Sequence, residues 1–279
     1  MKATIQYIGE ELGGLYPQTE VKAFTRLILE HVCGLDYTAQ ILMRDHVISA
    51  IQSKQISEIV TRLKNFEPIQ YVFGETEFFG MKLSVNPSVL IPRPETEELL
   101  HWISEMEFSK EPCFLDVGTG SGCIALGLKK QFPYSNVMAI DYSDEALETA
   151  RENAVLNGLD VSFSRADILK WEERSWQNFD LIVSNPPYVR ESEKKEMFAN
   201  VLKFEPESAL FVPDSNPLLF YLRIAEFAQK FLTKNGWLYF EINEMFGEQT
   251  AQVVKKCGFE AIEIKKDLFG KDRMLRCRK

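Results

Sequence analysis

Apolar positions in the first 74 residues recur every three or four places, the spacing that keeps side chains on one face of a helix. Ile5, Ile8, Leu12 and Leu15 form one stripe, and Val21, Phe24, Leu27, Ile28 and Val32 form a second that stops at Gly34. Ile56, Ile59, Val60 and Leu63 form a third, so a small helical bundle is predicted. Between residues 75 and 89 the pattern changes to an aromatic-rich alternation, from Glu77, Phe78 and Phe79 through Met81, Leu83 and Val85, closed by the turn-forming Asn86, Pro87 and Ser88. That predicts a β-hairpin linking two domains. Thr96 is then expected to cap a helix whose first turn carries Glu97 and Glu98.

From residue 114 onward, short apolar runs alternate with helical ones. Strands are predicted at 114–117, 137–140, 161–165, 179–184 and 237–242, with two further short apolar segments at 260–264 and 274–277. Helices are predicted from Cys123, from Ser143 to a stop at Asn157 and Gly158, and at 218–231 and 247–257. The charged stretch 190–195 reads as a solvated helix or flap. Alternation of this kind indicates a parallel-dominated, three-layer α/β domain. The expected organisation is a helical N-terminal domain at 1–74, a hairpin linker at 75–89 and an α/β domain at 90–279.

The strand ending at Val117 runs into Gly118, Thr119, Gly120, Ser121 and Gly122 before an apolar helix. Glycines let the backbone turn and approach a ligand closely, and the free N–H groups of a helix start attract anionic or nucleotide-like groups. The same device serves several cofactors, but a dinucleotide fingerprint needs a third glycine where Cys123 stands. NAD is therefore disfavoured, together with the reading of the chain as a dehydrogenase or simple nucleotide-binding module.

Asp116, Asp141 and Asp167 stand in or just after three successive strands, which brings them to one sheet edge. S-adenosylmethionine needs an acceptor for its ammonium, a carboxylate for its ribose hydroxyls and a partner for its adenine amino group. These acids could supply all three, Asp141 taking the ribose. Taken singly, Asp167 serves equally well as a turn or helix cap.

The run 179–184 ends in Asn185, Pro186, Pro187 and Tyr188. Two rigid prolines between a polar side chain and an aromatic ring present fixed carbonyl acceptors beside a flat stacking surface. That suits a planar amino or amide nitrogen as methyl acceptor. In this reading the Asn185 side-chain oxygen and the Pro186 carbonyl accept the two N–H bonds, Tyr188 stacks on the amide plane, and Pro187 stiffens the turn.

These features resemble the class I methyltransferases and, more narrowly, the release factor glutamine methyltransferases. The likeness covers nearly the whole chain. It rests on 67–74 (EPIQYVFG), 90–97 (LIPRPETE), 116–126, the tetrad 185–188 (NPPY) and 204–210 (FEPESAL). The tetrad alone is shared with adenine methyltransferases acting on nucleic acid; the 90–97 stretch is more specific. The resemblance implies a Rossmann-like domain with a mostly parallel seven-stranded sheet, a small helical N-terminal domain and a β-hairpin between them. It implies methyl transfer from S-adenosylmethionine to the side-chain amide nitrogen of the glutamine in the Gly-Gly-Gln motif of peptide chain release factors. It also gives Gly118 to Gly122, Asp141, Ile168 and Asn185 as cofactor neighbours, and Asn185 to Tyr188 as the substrate clamp.

Charge bears on the nucleic-acid alternative. The chain carries a formal −9, and residues 75–279 hold 25 basic and 33 acidic side chains, a net of −8. Duplex binding draws on lysine and arginine neutralising phosphates, and base-modifying enzymes normally carry a basic or target-reading region. An acidic catalytic part favours a protein substrate. With 45% hydrophobic residues a sizeable core is available, while no apolar run reaches signal-peptide or bilayer-spanning length. A cytoplasmic monomer is the expectation. Five cysteines without a C-x-x-C pair suggest reduced thiols; Cys123, near a helix start where a thiol pKa can fall, is read chiefly as a space filler. His31, His46 and His101 have no metal-ligand spacing, and no metal is expected.

Overall fold

The computed structural model describes residues 1–43 and 46–279, which divide into two compact units. The first comprises Met1–Gly74 together with Phe198–Phe204. It holds α1 (Lys2–Leu12), α2 (Gln18–Cys33), α3 (Tyr37–Leu42), α4 (Ala50–Lys64) and α5 (Ile69–Phe73). The predicted stripes supply its core: Ile8, Leu12, Val21, Phe24, Ile28 and all four of Ile56, Ile59, Val60 and Leu63 are buried. Ile5 and Leu15 depart from the prediction: Ile5, in the first turn of α1, is exposed. α1 ends at Leu12, and Leu15 lies beyond it, exposed. Ser49 opens α4 with a reciprocal capping box to Gln52, and Gly34 closes α2 in the left-handed conformation.

The second unit, Glu75–Met197 with Glu205–Lys279, begins with the hairpin β1 (Glu75–Phe78) and β2 (Met81–Ser84). Its two-residue turn, Phe79 and Gly80, has positive φ at both positions. The hairpin is built into this unit's core: Phe78, Met81 and Leu83 are buried among the helix and strand residues behind the sheet. Asn153 is fully buried and locks it there, accepting from Ser84 N at 2.6 Å and donating to Ser84 O and Ser121 O at 2.9 Å each.

Next come α6 (Pro94–Ser104), β3 (Cys113–Val117), α7 (Cys123–Gln131), β4 (Asn136–Asp141), α8 (Asp144–Asn157), β5 (Ser162–Arg165) and β6 (Phe179–Ser184). The short strands β7 (Val189–Arg190) and β8 (Phe211–Val212) pair in parallel, and the charged segment after the tetrad is a 3-10 turn, Glu191–Glu196. α9 (Ala199–Phe204) belongs to the first unit and α10 (Glu207–Leu210) to the second. The chain ends with α11 (Leu219–Phe231), β9 (Leu232–Glu241), α12 (Gly247–Lys256), β10 (Glu260–Lys266) and β11 (Asp272–Arg278). β9 starts five residues before the predicted 237, but its pairing with β6 is interrupted between Leu232 and Trp237, so regular pairing does begin at Trp237.

The seven strands run in the order β10-β11-β9-β6-β3-β4-β5. β3, β4, β5, β6 and β9 are parallel; the last strand of the chain, β11, is inserted antiparallel between β9 and β10. Strand side chains alternate between the faces. Leu115, Val117, Ile182, Leu238 and Phe240 pack with α11 and α12, while Phe114, Leu181, Val183 and Tyr239 pack with α6 and α7. This is the α/β architecture the resemblance implied. The chain moves from β3 outward to β5, then returns to β6 on the other flank of β3. The crevice at such a reversal, at the carboxyl ends of the strands, is where open α/β sheets bind ligands. Among the described residues no helix is long and apolar enough to cross a membrane.

Candidate active site

Parallel strands deliver their carboxyl ends to one edge, so the glycine loop after β3 and the tetrad after β6 are neighbours. The loop is fastened from β4: Gly118 N and Thr119 N both donate to Ile140 O at 2.9 and 3.0 Å. Gly122, with φ of 83°, caps α7 and faces α8 closely; a Cβ there would lie 3.2 Å from Ala150 Cβ. Gly118 and Gly120 differ, since a Cβ on either would meet nothing within 4 Å. The loop is thus packed on one side and open on the other, as a ligand cradle requires.

Asp116 is fully buried on the α6–α7 face of the sheet. Its Oδ2 accepts from Thr119 Oγ1 at 2.6 Å and from Ala125 N at 3.2 Å, tying the loop to the first turn of α7. Its Oδ1 has no hydrogen-bond partner, and neither has the buried Ser121 hydroxyl. Burial pushes the Asp116 carboxyl up to about 7, against the opposing pull of these hydrogen bonds. Asp141, at the end of β4, accepts from Gly120 N at 2.8 Å through Oδ2 and from Ser143 N at 2.9 Å through Oδ1. Burial raises its pKa too, and these backbone bonds restrain the rise. An ionised carboxylate has about four lone-pair sites, so Asp141 retains acceptor capacity.

Asp167 and Ile168 have structural work of their own. Asp167 Oδ1 accepts from Leu169 N at 3.0 Å and caps a 3-10 turn, Ile168–Glu173, while Ile168 packs with Trp171 in the core. Cys123 is no activated thiol, because burial pushes it up to about 12. No group of three or more His, Cys, Asp or Glu among the described residues could hold a metal.

In the tetrad, Pro186 is buried, and Asn185, Pro187 and Tyr188 are half-buried. Asn185 Nδ2 donates to Thr96 Oγ1 at 3.3 Å, and among the described residues none donates to Asn185 Oδ1. Thr96 is not the helix cap the sequence suggested. α6 begins at Pro94 after Arg93, and Thr96 sits inside its first turn, donating to Glu241 Oε2 at 2.6 Å. Tyr188 donates its hydroxyl to Glu241 Oε1 at 3.0 Å. Burial and the neighbouring Glu241 raise the Tyr188 pKa, so the phenol stays protonated. Glu241 ends β9 almost wholly buried, and burial raises its pKa against these two hydrogen bonds. Asn243 Nδ2 holds the Tyr188 carbonyl at 3.0 Å.

Sequence reasoning missed Glu241, Asn243 and Asn153. Glu241 was hidden as the last residue of an apolar strand; a carboxylate after Leu238, Tyr239 and Phe240 was the available signal. Arg93 and Glu205 were noticed only as parts of the resemblance. In the structure they form an ion pair at 2.6 Å, with Glu205 Oε2 also accepting from Ile91 N at 3.4 Å.

Two family models match. The PrmC N-terminal domain matches residues 5–74, and the Methyltransferase small domain matches residues 96–210. A crystal structure of a methyltransferase from Pyrococcus furiosus has a TM-score of 0.54 at 22% identity, over 72% of this chain and 90% of that one, which shows the fold. Among curated relatives, the release factor glutamine methyltransferase of Flavobacterium psychrophilum is 46% identical over 96% of this chain and 95% of its own. That of Bacteroides thetaiotaomicron is 44% identical over 99% of both. Identity of that level along essentially the full length shows that the chain belongs to the release factor glutamine methyltransferase family.

Proposed function

We propose that this protein transfers a methyl group from S-adenosylmethionine to the side-chain amide nitrogen, N5, of the glutamine in the Gly-Gly-Gln motif of peptide chain release factors. The observation that carries the reading is the placement of Asn185, with an unengaged amide oxygen, at the end of the strand adjoining the open glycine cradle. The residues present suit the cofactor. Gly118 and Gly120 leave space over the loop, and Asp141 has acceptor capacity for a ribose. Asp116 has one free oxygen, but it is sealed from solvent, so contact with the ammonium requires the loop to yield; otherwise Asp116 acts by shaping the loop. Asp167 and Ile168 complete the proposed neighbours at the adenine side.

When bound, the cofactor supplies an electrophilic sulfonium methyl. A carboxamide nitrogen is a poor nucleophile, because its lone pair is delocalised into the carbonyl. Asn185 Oδ1 and the Pro186 carbonyl accept its two N–H bonds, orienting the nitrogen and stabilising positive charge as it develops. Tyr188 lies along the amide plane, and Pro187 keeps the turn rigid. The reaction needs no obligatory general base. The helical unit is assigned to gripping the substrate protein, which is supported by the exposed apolar side chains of Tyr37, Leu42, Val47 and Ile51. A substrate of the translation apparatus implies a cytoplasmic location.

Labelled S-adenosylmethionine offered with a bacterial release factor, and separately with DNA, tests the assignment. Label is expected on the release factor, at the glutamine when mapped by peptide mass spectrometry. Label on DNA alone, or on neither, refutes it.

A further inference from the structure

The two acceptors proposed for the substrate amide must face it correctly, yet an asparagine side chain can rotate by half a turn and present N–H groups where an oxygen is needed. The neighbours of Asn185 bear on which way its amide faces. Asn185 and Glu241 each stand one residue beyond a paired position, Ser184 with Phe240, on the adjacent parallel strands β6 and β9. Thr96, from the first turn of α6, sits between them, 3.3 Å from Asn185 Nδ2 and 2.6 Å from Glu241 Oε2.

We propose that Thr96 and Glu241 are positioning residues for methyl transfer: Glu241 takes the only proton of the Thr96 hydroxyl, which leaves Thr96 able only to accept from Asn185 and so fixes the Asn185 oxygen toward the substrate. The inference rests on the reading of Asn185 as an acceptor for the substrate amide. A hydroxyl has one proton and two lone pairs, and an ionised carboxylate only accepts. The short Thr96–Glu241 bond has the length of a charge-assisted one. A flipped Asn185 would set its oxygen against the lone pairs of Thr96 with no proton between them. Glu241 also receives the Tyr188 hydroxyl, so one carboxylate orients both ends of the tetrad. Among the described residues Glu241 has no salt-bridge partner, and it is 1% exposed. Its hydrogen bonds come from two hydroxyls, with Arg273 acting on it only electrostatically, so the buried carboxylate is costly to keep.

A double-mutant cycle tests the proposal on the full-length enzyme, with kcat, the KM for release factor and the affinity for S-adenosylmethionine measured for each variant. Thr96→Val removes the hydroxyl at constant shape and is expected to lower kcat about tenfold or more, while KM and cofactor affinity stay within about twofold. In an Asn185→Ala background the same change should cost less than about twofold, because Thr96 acts through Asn185. Thr96→Ser keeps the hydroxyl and should retain most of the wild-type kcat. If Thr96→Val does not fold, Glu241→Gln carries the same cycle, since an amide N–H facing Thr96 releases its proton toward Asn185. A loss of equal size in both backgrounds, or a Ser variant as slow as the Val one, overturns the relay while leaving the role of Asn185 intact. Near-normal kcat for Asn185→Ala alone overturns both.

Discussion

Asp116 offers the sharpest physical test, because its environment sets both a sign and a size. The carboxyl is sealed inside the sheet edge with one oxygen bound to Thr119 and Ala125 and the other unpartnered. Its pKa rises from an ordinary 3.8 to about 7, which corresponds to about 4 kcal/mol of stability forgone when the group is ionised in the folded state. The folded protein holds this proton more tightly than the unfolded chain. Below pH 3.8 the acid is protonated in both states and the cost is absent; between 3.8 and about 7 it grows by ~1.4 kcal/mol per pH unit; above that it is constant. Asp116→Asn removes the titration. It leaves a buried amide N–H without a partner, at about 1–3 kcal/mol, but that cost is the same at every pH. Urea unfolding followed by tryptophan fluorescence between pH 4.5 and 8 is the assay, since Trp102, Trp171, Trp176 and Trp237 all lie in the second unit and report on it alone. The wild-type stability should fall relative to the variant as pH rises through this window. Parallel curves would refute the argument.

Other substitutions separate the cofactor side from the transfer side. Asn185→Ala should lower turnover by about a hundredfold, the usual cost of one preorganised polar group, while cofactor binding measured by calorimetry survives in part. Asp141→Ala frees Gly120 N and Ser143 N and should chiefly weaken cofactor affinity; unchanged affinity removes Asp141 from the site. Gly122→Ala forces a positive φ on a residue with a side chain and presses on Ala150, so a loss of about 1–3 kcal/mol in chemical denaturation is expected. Arg93→Ala strands the buried Glu205 carboxylate, and a destabilisation of about 3–5 kcal/mol should appear in the same measurement.

Much of the candidate site's layout was legible because its residues stand at the ends of well-formed strands. The runs at 114–117, 137–140 and 179–184 each lead straight into a polar or glycine-rich turn, and parallel pairing gathers those turns whatever the rest of the chain does. What stayed hidden depended on partners remote in sequence. Thr96 resembles a cap locally, but its hydroxyl answers to Glu241, 145 residues away. Asn153 occupies an ordinary helical position until β2 lies against it. Asp167 has two equally good local meanings, and the structure displays the cap. Leu15 fits a periodic stripe, yet α1 stops at Leu12, where Gly13 takes an extended conformation.

Two buried acids at strand ends, Asp116 on β3 and Glu241 on β9, flank β6 on either side and share one feature. Each uses one oxygen to take a short bond from a threonine hydroxyl, at 2.6 Å in both cases, and each carries a pKa raised by burial. Thr119 belongs to the glycine loop, and Thr96 leads to Asn185. The sheet therefore spends stability at two neighbouring strand ends to hold two loops still: one proposed to cradle the methyl donor, the other to present acceptors to the amide. Rigid acceptors matter most for a nucleophile as weak as a carboxamide, since their dipoles need no reorientation as charge develops on nitrogen. Relaxing either carboxylate should accordingly make the protein more stable or leave it unchanged at neutral pH if the substituted group is well packed, while slowing transfer. A variant at Glu241 that gained both stability and turnover would show that this buried charge does not serve the acceptor loop.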